Sequence, residues 1–244
     1  MNDKMKQTYD AISAEYAKAT AIDPNKRYVQ YPESLRLIGD IRGKSVFDVG
    51  CANGMFTRMM KRAGASEVTG YDPSRRELDD ARYEESQNPQ GIEYITDYSE
   101  LSVGKRFDIV TAIMVIPAVE PEQLEELFGH AGRFLAEDGV FVALTLNPDF
   151  RRFGTVVNCR QFFKRPDGRI DIDFLNENGR TYLSIVDADF SKQDVECAAR
   201  GAGFTDVCWE PLKIDPAGIE RYGVDYWAGY EEDCPYIGLI ANRG

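Results

Sequence analysis

The chain has 244 residues, 41 acidic against 29 basic, for a formal net charge of −12. That balance argues against a nucleic-acid binder, which needs a basic track to displace counterions; the nearest approach, Arg151-Arg152 with Lys164-Arg165, is short and flanked by acids. No apolar run approaches the ~20 residues that span a bilayer, and five scattered cysteines with no C-x-x-C pair, beside one histidine, argue against a disulfide framework or a metal site.

In chain order, residues 1–40 read as a helical cap, and their start carries no apolar signal core, so a cytoplasmic protein is expected. A first strand at 45–49 delivers the small-residue turn Gly50-Cys51-Ala52-Asn53-Gly54. The helix after it has Met55, Phe56, Met59, Met60 and Ala63 on its apolar side and Gly64 as a stop. Glycines in such a turn let the backbone approach a ligand, and the helix start offers unpaired N–H groups to an anionic group. The next apolar run ends at Tyr71-Asp72, where a carboxylate can accept hydrogen bonds from both hydroxyls of a ribose.

A third strand at 92–96 is followed by Asp97-Tyr98. The fourth, 107–114, is nearly continuous in apolar character, which suits a parallel strand buried on both faces. Leu124, Leu127, Phe128, Ala131, Phe134 and Leu135 fall at helical spacing. His130 lies toward the polar side of that helix and reads as a solvated residue away from the sheet's carboxyl edge. The Asp138-Gly139 turn and a fifth strand at 140–145 follow. After an insertion at 147–190, a helix opens at Ser191 and ends at Gly203, and 206–213 and 237–242 read as the last two strands. Strands alternating with helices imply right-handed β-α-β units and a parallel sheet within one α/β domain spanning 1–244.

A dinucleotide site wants G-x-G-x-x-G; the spacing from Gly50 is G-x-A-x-G, with Asp48 two residues earlier. This D-x-G-x-A-x-G pattern resembles motif I of the class I S-adenosylmethionine-dependent methyltransferases, with Ala52 where the middle glycine is commoner. The resemblance implies a Rossmann-like seven-stranded sheet in order 3-2-1-4-5-7-6, strand seven antiparallel, with helices on both faces. It implies S-adenosylmethionine as cofactor and S-adenosylhomocysteine as product. Asp48, Gly50, Cys51, Ala52, Asn53, Gly54 and Phe56 would surround the methionine part, with Asp72 and Pro73 at the ribose. Asp97 would face the exocyclic amine of adenine, Tyr98 would touch the ring, and Met114 would stand where donor and acceptor meet. Arg27 is a candidate partner for the methionine carboxylate. Thr8-Tyr9-Asp10 and Glu15-Tyr16-Ala17 look like the lead-in of small-molecule methyltransferases that folds over the cofactor, which adds Tyr16 to the cofactor set.

Gly43-Lys44-Ser45-Val46-Phe47-Asp48, Arg62-Ala63-Gly64-Ala65, Asn147-Pro148-Asp149-Phe150 and Asp225-Tyr226-Trp227 are loosely similar to bacterial toxoflavin-type N-methyltransferases, which act on a flat azapteridine. Asn147-Pro148-Asp149-Phe150 is not the (Asn/Asp)-Pro-Pro-(Tyr/Phe) motif of amino-methylating enzymes: it follows the fifth strand, and the second proline is absent.

The insertion holds two hairpin turns, Arg165-Pro166-Asp167-Gly168 and Asn176-Glu177-Asn178-Gly179, with Ile170, Ile172 and Phe174 alternating with Asp171 and Asp173. A small antiparallel β flap of about three strands is expected above the carboxyl edge, where open α/β sheets bind ligands; a plain extension or a dimer contact is the other reading. Tyr9, Asn147, Phe150, Tyr182 and Trp227 are candidate substrate contacts, because aromatic walls suit a flat molecule and a sulfonium alike. No general base can be named. The expected activity is methyl transfer to a heteroaromatic nitrogen or oxygen of a small molecule, by a monomer or homodimer. A protein side-chain methyltransferase and a non-catalytic S-adenosylmethionine-binding subunit are the alternatives.

Overall fold

The computed structural model describes residues 23–243. A π-helical turn at Lys26–Gln30 runs directly into α1 (Tyr31–Ile38). Two strand-helix steps follow, β1 (Ser45–Val49) with α2 (Met55–Arg62) and β2 (Glu67–Tyr71) with α3 (Arg75–Gln87), and then β3 (Glu93–Ile95) and β4 (Phe107–Ile113) with only a short 3-10 turn, Tyr98–Glu100, between them. The chain continues through α4 (Leu124–Phe134) and β5 (Leu135–Leu146) into β6 (Val156–Val157), β7 (Arg160–Lys164), β8 (Arg169–Leu175) and β9 (Thr181–Ala188). It closes with α5 (Lys192–Gly201), β10 (Phe204–Pro211), α6 (Pro216–Tyr222) and β11 (Tyr236–Arg243).

The main sheet has the order β10-β11-β5-β4-β1-β2-β3, with β11 antiparallel to both neighbours. Counting only its own strands, this is the expected 3-2-1-4-5-7-6. The strand order reverses between β1 and β4, so their carboxyl ends leave the crevice in which open α/β sheets hold ligands. Side chains alternate between two cores across the sheet. Val46 and Ile109 point to one, with Phe56, Met60 and Leu78; Phe47 and Val110 point to the other, with Phe128, Phe134, Phe141 and Phe204. Burying both faces is what demands the nearly unbroken apolar runs of β4 and β5.

Several elements differ from the sequence expectation; β10, for one, begins and ends two residues earlier than expected. β5 starts at Leu135, before Asp138-Gly139, because the chain stays extended through that dipeptide beside a register irregularity between Phe107 and Ile109 of β4. β3 stops at Ile95, because the Glu100 carboxylate draws the Thr96 and Asp97 N–H groups (2.8 and 2.9 Å) into a cap for the 3-10 turn. The insertion forms four strands rather than three, in a separate antiparallel sheet β6-β7-β8-β9.

That second sheet buries one face. Phe162, Ile170, Ile172, Phe174, Leu183 and Ile185 alternate inward along β7, β8 and β9 and join the core that holds Phe150 and Tyr236. Polar ties fix its position. The buried Arg160 guanidinium pairs with the Asp23 carboxylate, donates to the Tyr236 hydroxyl and lies 4.5 Å from the Phe174 ring centre. Arg169 pairs with Glu120, and β9 packs on the turn Ile116–Ala118 that follows β4. The flap is thus clamped to the same edge of the main sheet that carries the crevice.

Close approach of α4 to the loop after α5 sets one limit on the sequence. A Cβ at Gly132 would stand 2.9 Å from the Ala202 carbonyl oxygen, inside contact distance. Gly132→Leu is expected to lower the stability by about 1–3 kcal/mol, the range for overpacking, measured by urea unfolding. Stability within a few tenths of wild type would contradict the packing.

Candidate active site

The turn after β1 is held by its own backbone. The Gly50 and Cys51 N–H groups donate to the Tyr71 carbonyl at the end of β2 (2.7 and 2.9 Å), and the Ala52 N–H donates to the Asp72 carboxylate (2.9 Å). Gly50 (φ 70°) and Gly54 (φ 75°) adopt the left-handed conformation that favours glycine. A side chain at Gly50 would collide with Val115, and one at Gly54 with the Tyr94 hydroxyl. Beneath the turn, Asp48 is buried and accepts the Thr57 and Thr111 hydroxyls (2.6 and 2.7 Å); burial still pushes its carboxyl up to about 6. Burial also raises the Cys51 thiol, with Asp72 and Asp48 adding to the effect, so Cys51 is a small neutral filler rather than a nucleophile.

Above this turn lies a cavity of about 350 Å³, within the range of small-molecule sites. Its walls contain Asp48, Gly50, Cys51, Ala52, Asn53, Phe56, Asp72, Pro73, Tyr98 and Met114, ten positions that the sequence places at the cofactor. Gly54 sits at the start of α2 just behind them. Met114 takes φ 61°, unusual for a side-chain-bearing residue, as the chain turns out of β4. One end of the cavity is bounded by Lys26, Gln30 and Tyr31, with Tyr31 stacked on Phe56 at 5.3 Å. The other end is bounded by Tyr71, Tyr98, Leu127 and His130.

Several expected positions lie elsewhere. Arg27 is exposed over the Tyr28 ring, and its neighbour Lys26 lines the cavity instead. Asp97 is exposed and outside the cavity, with its carboxylate taken up by the Ser99 N–H at 2.7 Å. His130 is not a distant surface residue: it lines the cavity with its ring 4.2 Å from Tyr98. Of the substrate candidates, Phe150 and Trp227 are core residues, Trp227 donating to the Gly218 carbonyl. Asn147 donates to the Cys234 carbonyl, and Tyr182 is exposed on the flap. None of these four lines the cavity. Tyr9 and Tyr16 fall outside the described residues. Gln30, Glu77, Glu126 and His130 are cavity residues that no motif announces; they come from helices whose inward face depends on packing.

Residues 25–208 match a family described as a methyltransferase domain. The chain belongs to that family. A relative in Actinobacillus pleuropneumoniae serotype 5b, named ubiquinone biosynthesis O-methyltransferase, is 30% identical over 158 residues, which are 59% of this chain and 66% of that protein. The chain therefore spans slightly under two thirds of that relative. Among solved structures, an S-adenosylmethionine-dependent methyltransferase from Mesorhizobium loti superposes with a TM-score of 0.62 at 22% identity, covering 88% of this chain and 97% of that one. A structure described as a DhpI complex with S-adenosylhomocysteine gives 0.56 at 16% identity, covering 98% and 95%. The cavity has the chemistry to take S-adenosylmethionine. The backbone of the turn from Gly50 to Asn53 borders it directly, Asp72 offers a carboxylate for hydroxyls, and Tyr71, Tyr98 and His130 add flat ring walls.

The cavity of this methyltransferase is also acidic. Glu77 opens α3 with its N–H on the Ser74 hydroxyl, and burial, reinforced by Asp72 and Asp80, pushes its carboxyl up to about 7. A carboxyl raised from 4.5 in the unfolded chain contributes its full stability below about pH 4.5 and loses it as pH rises through about 7. Wild type is therefore expected to lose on the order of 1–2 kcal/mol between pH 5 and 8 from this group, after allowance for solvent screening. Glu77→Gln should abolish that part of the slope, read from chemical unfolding at both pH values. An unchanged slope would contradict the assignment.

Proposed function

We propose that this methyltransferase passes the methyl group of S-adenosylmethionine to a hydroxyl or ring nitrogen of a small, flat acceptor. When bound, the cofactor supplies a methyl carbon already activated on a sulfonium. In this reading the Lys26 ammonium and the N–H groups at the start of α2 hold its carboxylate, and Asp72 accepts from the ribose hydroxyls. Residues 1–244 act as one domain, with the segment Lys26–Tyr31 bordering the cofactor and 147–190 covering the acceptor. The protein works in the cytoplasm as a monomer or homodimer, on a small molecule rather than on nucleic acid.

The observation that carries the acceptor assignment is Gln30. It is 1% exposed and lines the cavity, and its Oε1 has no hydrogen-bond partner among the described residues. A buried amide oxygen without a partner is costly, and a donor on the bound acceptor, an O–H or a ring N–H, removes that cost while turning the nucleophilic atom toward the methyl group. The apolar walls, Phe56, Ile113 and Met114, exclude water and suit a planar molecule. Alignment and water exclusion of this kind can supply roughly 7–11 kcal/mol of barrier lowering, so catalysis here rests mainly on positioning. The relative named as an O-methyltransferase favours oxygen over nitrogen as the acceptor atom.

The test is a panel of phenols, catechols and azaheterocycles incubated with protein and S-adenosylmethionine, with S-adenosylhomocysteine release as the signal. Turnover of at least one hydroxyl or ring-nitrogen compound is expected. Gln30→Leu should raise the acceptor KM about tenfold, the scale of one hydrogen bond to a buried group, while the affinity for S-adenosylhomocysteine stays unchanged. Turnover confined to a protein substrate would contradict the proposal.

A further inference from the structure

The two ends of the cavity differ in chemistry. The end at Lys26 and the turn after β1 suits a charged amino-acid moiety, whereas the end at Tyr71, Tyr98, Leu127 and His130 is flat and largely apolar. Asp72 follows Tyr71 in the chain and lines the same cavity, so a ribose held by Asp72 brings its purine to these rings.

At that end three rings form a ladder. Tyr71 and Tyr98 lie 4.0 Å apart at 24°, and Tyr98 and His130 lie 4.2 Å apart at 27°. Two rings this close to the same face of Tyr98 would overlap one another, so they cover opposite faces. Tyr98 therefore has no free face on which a base could stack, and it presents its edge. The purine amine needs a hydrogen-bond acceptor near the same place. Asp97 does not line the cavity, and one of its carboxylate oxygens is held by the Ser99 N–H. Glu126 does line the cavity. Its Oε1 is 3.5 Å from His130 Nε2, one turn further along α4, the spacing at which helical side chains meet.

We propose that Glu126, held beside His130, accepts the hydrogen bond of the adenine amine of S-adenosylmethionine, the role that the sequence motif gives to Asp97. The arrangement follows from the short link between β3 and β4. A 3-10 turn stands there in place of a helix, Glu100 and Ser99 draw Asp97 into its cap, and the exposed edge of α4 borders the cavity. Glu126 is thus a specificity residue that rejects nucleosides carrying a carbonyl where adenine has its amine, since two oxygen acceptors would then face each other. His130 is a positioning residue, keeping the carboxylate at the rim of the ring ladder.

The test is calorimetric titration with S-adenosylhomocysteine and with S-inosylhomocysteine, which replaces the amine by a carbonyl. Wild type is expected to prefer the adenosyl compound by about tenfold or more, the scale of a charge-assisted hydrogen bond. Glu126→Ala should bring the two affinities within about threefold by weakening the adenosyl compound, with an unchanged melting temperature because Glu126 is exposed. Asp97→Asn should leave the preference intact. A preference that survives Glu126→Ala, or one that disappears in Asp97→Asn, overturns the assignment. Wild type that binds neither compound would instead remove the cofactor site on which the proposal rests.

Discussion

The turn between β1 and α2 is the constraint on which the site depends. Its N–H groups are spent on the end of β2, at Tyr71 and Asp72, so the turn cannot move without the neighbouring strand. Glycine at 50 and 54 is required twice over, by left-handed φ and by the proximity of Val115 and Tyr94. Asp48 fastens the same region from below, joining β1 to α2 through Thr57 and to β4 through Thr111. A buried carboxylate with two hydroxyl donors is costly in isolation but rigid once satisfied. It fixes three elements around the floor of the cavity.

The flap depends on a different kind of contact. Its inner face is apolar and adds to the core beneath it, while direction comes from Arg160, whose single guanidinium reaches Asp23, Tyr236 and the Phe174 ring. Breaking one partner of such a buried pair leaves an uncompensated charge. Register along the flap is therefore tied to the segment that leads into α1 and to the start of β11. The residues that line the cavity from Lys26 to Tyr31 follow immediately from that anchored segment, so flap and cavity wall share one support.

Local patterns carried much of this architecture. The D-x-G-x-A-x-G stretch, the apolar strand runs and the Ser191-to-Asp194 cap each act within a few residues, and each is found where its chemistry puts it. The errors come from phase and packing. The π turn at Lys26–Gln30 closes every five residues rather than four, so ordinary helical spacing does not reveal that Lys26, and not Arg27, faces inward. His130 looks polar in a helical projection, yet the ring stack with Tyr98 draws it to the cavity. Phe150 and Trp227 are as aromatic as any substrate wall, but Phe150 packs on Phe162 of the flap and Trp227 among Tyr222, Tyr226 and Tyr230, which bury them as core. Gln30 carries no sequence signal at all, since an orphaned amide oxygen is a property of the folded surroundings.

The central claim is that the crevice above this turn is built for S-adenosylmethionine and not for a dinucleotide, and calorimetric titration with S-adenosylhomocysteine against NAD tests it most directly. Micromolar binding of S-adenosylhomocysteine with no heat from NAD is the expected result. Binding of NAD in its place would contradict the account.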